Sequence, residues 1–143
     1  MIRPNELRIG NWVYIPSRKE EGVEMPAKIR ELRGTDVTTY GNRKRSDSYL
    51  CLNPVPLKEE LLLKCGFDVL VGRSCYSWVD KIYSTPDNNL VLYCKNNSYR
   101  FARERFGIGG WTLVDVNGYN FICLHQLQNL YFVLTGQELN VNL

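Results

Sequence analysis

The chain has 143 residues, carries 18 basic against 15 acidic side chains, and is 44% hydrophobic and 23% charged. That is the size of one ordinary domain or two small ones, with enough apolar content for a core and too much for long-range disorder. A net charge of +3 is too small to mark a nucleic-acid binder by itself, no apolar run reaches the ~18 residues of a membrane span, and size and pattern exclude a large enzyme, a transporter, a collagen and a coiled coil.

The opening Met1-Ile2-Arg3-Pro4-Asn5-Glu6 lacks the apolar stretch of a signal peptide, which sets the expectation of a cytoplasmic protein. Short strands follow. Trp12-Val13-Tyr14-Ile15 comes after Gly10-Asn11, and Pro16 to Gly22 is a charged connection. Ala27 to Arg33 alternates apolar with charged, the period of a half-buried strand. Gly34-Thr35-Asp36 is a turn, Val37 to Tyr40 a third strand, Gly41 to Asp47 a basic loop, and Tyr49 to Leu52 a fourth strand. Four short strands in so few residues predict a small barrel or a strongly curled sheet. The segment Arg8 to Val13 loosely resembles the first strand of Tudor-like barrels.

Asn53-Pro54-Val55-Pro56 is the most linker-like stretch. A helix follows, with Leu57, Leu61, Leu62 and Cys65 on one face, Glu59 and Glu60 in its first turn and Lys64 in its last, as the helix dipole favours. Gly66 ends it in a left-handed position, with Phe67 folding back. Residues 74–124 predict an antiparallel meander. Its strands run Tyr76–Tyr83, Leu90–Lys95, Ser98–Arg103, Trp111–Val116 and Tyr119–Cys123. The turns fall at Pro86-Asp87-Asn88, Asn96-Asn97 and Asn117-Gly118. Gly107-Ile108-Gly109-Gly110 is expected as a flexible break. The last element is a helix from Leu124 to Thr135, closed by Gly136. The expected fold is α+β: a small β-barrel-like subdomain over 1–53, then a helix, antiparallel meander and C-terminal helix over 54–143. The helices are expected to cover one face of the sheet, which must be buried by another layer.

Three blocks, Asn5–Asn11, Asn53–Phe67 and His125–Leu139, resemble a family of small uncharacterised proteins encoded in prophages and mobile elements of gut anaerobic bacteria. The central block departs from that pattern at Lys58, where the family tends to carry a threonine suited to helix capping. The resemblance implies a bacterial or phage cytosolic setting. It brings no activity, cofactor or catalytic residue.

The five cysteines include no CxxC pair and there is one histidine, so reduced thiols are expected and neither a zinc site nor any cofactor is. Cys123 and His125 lie two apart and could meet as a thiol–imidazole pair. No orienting group or oxyanion site accompanies them, so a core cysteine and a helix-capping histidine is the preferred reading. The glycines at 107–110 lead into a strand rather than a helix, which is the wrong context for a phosphate loop. Glu20-Glu21 and Glu59-Glu60 read as solvated or dipole-stabilising groups. No catalytic residue is therefore expected.

Two surfaces remain. Arg43, Lys44 and Arg45, flanked by Tyr40 and Tyr49, combine a cationic loop with stacking aromatics as single-strand binders do. A second basic cluster, Arg100, Arg103 and Arg105, is interleaved with Tyr99, Phe101 and Phe106 and diluted by Glu104. In the C-terminal helix, Leu124, Leu127, Leu130, Tyr131 and Leu134 form a core-facing stripe. No residue from His125 to Thr135 is charged, so the back of the helix, His125, Gln128, Asn129, Phe132 and Val133, is expected to touch protein. Either the N-terminal subdomain covers it, the preferred form, or a second copy or partner does. The function expected from sequence is a non-catalytic binding or adaptor role. A nucleic-acid-binding accessory protein is the alternative, and no membrane role is expected.

Overall fold

The computed structural model describes residues 2–40, 45–70, 78–87, 89–116 and 119–143. Its strands form two separate antiparallel sheets beside two α-helices, so the fold is α+β and mostly β. The chain divides into two compact units. One comprises Met1–Leu57, Cys123–Leu139 and Leu143; the other comprises Lys58–Ile122 and Asn140–Asn142. The division thus differs from a sequential one at residue 53, because the C-terminal helix belongs with the N-terminal strands.

In the first unit, β1 (Trp12–Pro16), β2 (Glu24–Leu32), β3 (Asp36–Tyr40) and β4 (Arg45–Ser48) pair in sequence order. Val13 lies opposite Ala27 and Ile29 opposite Thr39. The alternation of side chains therefore brings Val13, Ile15, Ala27, Ile29 and Val37 into one core with Ile2, Leu7, Tyr49 and Leu52. A bulge between Ile29 and Glu31 adds twist, yet the sheet does not close into the expected barrel. The physical reason is that the free edge of β1 is already taken. Tyr14 and Asn53 exchange both backbone hydrogen bonds, at 2.8 and 3.0 Å, and the remaining edge is met by α2 (Leu124–Thr135). The residues expected as the fourth strand, Tyr49 to Leu52, instead begin a 3-10 turn, Tyr49–Cys51, in which the Ser48 side chain accepts from the Leu50 N–H.

The second unit opens with α1 (Glu59–Lys64). Phe67 N–H donates to Leu62 O and Gly66 N–H to Leu63 O, both at 3.1 Å. With Gly66 at φ 89°, this is a Schellman termination. The sheet follows as β5 (Asp68–Val69), β6 (Lys81–Ser84), β7 (Val91–Lys95), β8 (Ser98–Gly107) and β9 (Gly110–Asp115), paired in that order. The first long strand starts later than expected, at Lys81, and its expected start at Tyr76 lies outside the described residues. Asn96 and Asn97, at φ 52° and 60°, make the tight β7–β8 turn. Gly107 pairs with Gly110, so the expected flexible break is a two-residue hairpin turn. The Asn117-Gly118 turn lies outside the described residues, and the strand expected after it is reduced to isolated bridges, Phe121 with Tyr99 and Cys123 with Pro56. One face of the sheet packs Ile82, Val91, Tyr93 and Ala102 with Leu70, Val79 and Leu113. On the other, Phe101 lies opposite Leu92 and its ring sits 5.6 Å from that of Phe121. Among the described residues, no helix is long and apolar enough to cross a membrane.

Candidate functional site

Residues 125, 128, 129 and 132 recur at the spacing of one helix face, and the structure shows what that uncharged face of α2 meets. Gln128 accepts from Trp12 N–H at 2.9 Å and donates to Gly10 O at 3.1 Å. Asn129 accepts from Arg8 Nε at 3.0 Å and from Asn11 Nδ2 at 2.9 Å, and donates to Glu6 O at 2.7 Å. The Arg8 guanidinium lies 4.2 Å from the centroid of the Phe132 ring and pairs with Glu138 at 3.0 Å. His125 Nε2 lies 3.7 Å from the Glu6 carboxylate. Burial holds the imidazole below its ordinary pKa, opposed by the Glu6 charge. His125 and Gln128 are 1% and 2% exposed, whereas Val133 is 76% exposed. Four of the five residues expected to contact protein thus contact residues 6–12 of the same chain, and Val133 does not.

The Cys123–His125 pair does meet. The sulfur lies 3.8 Å from Nε2, while the thiol donates to Gln126 Oε1 at 2.8 Å. Both side chains are buried. His125 Nδ1, which a third group would have to hold in a catalytic arrangement, has no hydrogen-bond partner among the described residues. The pair is placed as a helix-start contact rather than as a surface nucleophile.

Of the basic loop, Arg43 and Lys44 lie outside the described residues, and the backbone of Tyr40 ends β3 opposite Lys28. Arg45 is committed within its unit. It reaches Asp47 through Nε at 3.0 Å and Nη2 at 2.8 Å, and Pro16 O at 2.8 Å. Tyr49 is buried and donates its hydroxyl to Arg33 O at 2.7 Å. These two residues, candidates for nucleic-acid contact in the sequence, brace the first sheet.

The second basic cluster is dispersed by β8. Tyr99 and Phe101 are buried. Arg100 donates to Asp115 at 2.7 Å and to Asn120 at 2.8 Å. Strand β7 pairs with β8 only as far as Ala102, but β8 and β9 continue together to Gly107 and Gly110, so residues 103–114 form a two-stranded ribbon. Arg103, opposite Val114, and Arg105, opposite Thr112, share one ribbon face, with Glu104 on the other. Both arginines are exposed and have no ion-pair partner among the described residues. Near the ribbon tip Phe106 is 73% exposed and Ile108 is fully exposed.

At the other end of β8, the tight turn sets Lys95 opposite Ser98 and Tyr93 opposite Arg100. These four, with Trp78 and Asn120, line an open groove of about 310 Å³. The Trp78 ring meets Tyr93 edge to face at 5.2 Å, and Lys95 Nζ lies 5.6 Å from its centroid. Tyr93 donates to Asp115 at 2.7 Å. Burial and that carboxylate push its hydroxyl up to about 12, so it remains a neutral donor. The groove was missed in the sequence, although the register of an Asn-Asn turn already places 93, 95, 98 and 100 on one face. No protein-family model matches the chain, and comparison with curated proteins and with solved structures returns no match.

Proposed function

We propose that the protein is a non-catalytic binding protein of a phage or mobile element, and that the β8–β9 ribbon is its contact element. The setting is carried over from the resemblance of residues 5–11, 53–67 and 125–139. The observation that supports a binding role is the ribbon itself. It runs past its neighbouring strand and carries a fully exposed Ile108 beside a largely exposed Phe106, and adjacent exposed apolar side chains at the tip of an element mark a contact surface. A photo-crosslinking residue in place of Phe106 tests this in expressing cells against the same residue in place of Leu50, which is also exposed. A discrete adduct from the ribbon position alone is expected. No adduct, or the same adducts from both positions, overturns the reading.

A nucleic-acid partner is the second form of this reading, favoured by Arg103 and Arg105 on one ribbon face without acidic partners among the described residues. Replacing both with Ala should lower the salt slope of oligonucleotide binding by roughly 2, about 0.9 per phosphate contact. An unchanged slope, or no binding by the unmodified protein at low salt, removes this form.

A further inference from the structure

We propose that the groove beside Trp78 is a nucleotide site, with a planar base against the Trp78 ring and a phosphate between Lys95 and Arg100. The proposal does not rest on the ribbon reading, which concerns a different part of β8. Its first support is the composition of the walls. Two aromatic rings and two cations line the groove, and among the described residues no carboxylate does. Asp115, beside the groove, is engaged by Arg100 and by Tyr93 OH, and Asp80 accepts from the Asn96 N–H at 2.8 Å, so both acids are committed to groups of the protein and neither lines the groove. An anion with a flat apolar portion complements such walls.

The second support is that the polar groups are pre-positioned. Arg100 is held by Asp115 on one side and Asn120 on the other, which leaves part of its fork of donors for a ligand. Lys95 is different. It lies 5.6 Å from the Trp78 centroid, a weak, exposed cation–π contact, and no carboxylate holds it among the described residues. A phosphate can therefore draw the ammonium off the ring, and the ring face it leaves becomes available to a base. The groove, about 310 Å³, is at the small end of ligand clefts, roughly 300–1,000 Å³, and takes one nucleotide unit rather than a long segment.

That unit can be a free mononucleotide or one nucleotide of a single strand, and the test separates them. The full-length protein is titrated by calorimetry with adenosine monophosphate, adenosine, inorganic phosphate and a short single-stranded oligoadenylate, and the titrations are repeated with Trp78→Ala and Lys95→Ala. Both side chains are exposed, and circular dichroism checks that each variant stays folded. Adenosine monophosphate is expected to bind more tightly than adenosine or phosphate, with each variant weakening it roughly ten-fold or more. Binding of the oligonucleotide alone, weakened by the same variants, assigns the site to a strand. Absence of binding by either nucleotide form overturns the proposal, as does binding that both variants leave unchanged or phosphate binding equal to that of the nucleotide. The Arg103→Ala, Arg105→Ala double variant separates the two readings. Loss of mononucleotide binding there would overturn the groove assignment, whereas a change confined to the oligonucleotide salt slope concerns the ribbon alone.

Discussion

The side-chain amide of Gln128 pairs with the backbone flanking Trp12 as a neighbouring strand would, accepting from Trp12 N–H and donating to Gly10 O. One side chain thus satisfies two main-chain groups at the free edge of β1, where an unpaired donor or acceptor would otherwise face the protein interior. Replacing Gln128 with Leu keeps the volume and leaves both groups unmatched. Each buried unsatisfied group costs about 1–3 kcal/mol, so the variant should lose about 2–6 kcal/mol in urea unfolding at unchanged m. A loss below about 0.5 kcal/mol would mean that water reaches this edge.

His125 makes folding sensitive to mild acid. Its imidazole is held below the ordinary value by burial, so as pH falls through about 6.5 the unfolded chain takes up a proton that the folded chain refuses. Stability is therefore full above that pH and declines below it, by at most about 1.4 kcal/mol per pH unit, until the folded-state value is reached. His125 is the chain's one histidine, so His125→Gln should flatten the stability profile between pH 7.5 and 5.5. Parallel profiles for the two proteins would show that the folded imidazole titrates normally.

Gly66 sits at φ 89°, and an added Cβ would lie 3.4 Å from the Pro86 ring. Gly66→Ala should cost about 1–2 kcal/mol from the left-handed backbone. Gly34 has open space and no positive φ, so Gly34→Ala should be neutral or stabilise by up to about 1 kcal/mol through the unfolded chain. Thermal melts of the pair check the contrast, and equal shifts would contradict it.

Among the described residues Cys51 is exposed, Cys94 intermediate, and Cys65 and Cys123 buried, all as free thiols. Desolvation pushes the Cys65 thiol up to about 11, which suppresses the reactive thiolate. A disulfide reagent at pH 8 should therefore modify Cys51 quickly and Cys65 only on unfolding, as peptide mapping would show. Rapid labelling of Cys65 in the folded protein would contradict its placement.

The helix ends were legible because Gly66 and Gly136 are local signals with a backbone reason. The missing charges on α2 were legible too: a helix back without Lys, Arg, Asp or Glu implied a protein surface against it, and residues 6–12 provide one. What could not be read was how β1 is edged. An amide imitating a strand has no periodicity, and Gln128 meets Trp12 across 116 positions, far beyond any local pattern. The length of β8 was hidden for another reason. The expected strand stopped at Arg103, whereas Arg103 and Arg105 share an exposed ribbon face, where charge is compatible with strand geometry. For the same reason the basic clusters could be counted but not assigned. Whether an arginine braces a sheet, like Arg45, or has no acidic partner among the described residues, like Arg103, depends on a carboxylate that pairing brings near.

The discontinuity of the first unit has a consequence for biosynthesis. Chains emerge N-terminus first, and domains tend to fold as they become complete. Lys58–Ile122 supplies nearly all of the second unit as one uninterrupted stretch, but the first requires Cys123–Leu139. The partners of Asn129 and Gln128 therefore wait, with the β1 edge open, while the intervening sheet is made. The later-numbered unit has the opportunity to fold first, and the earlier one closes around the last helix to arrive.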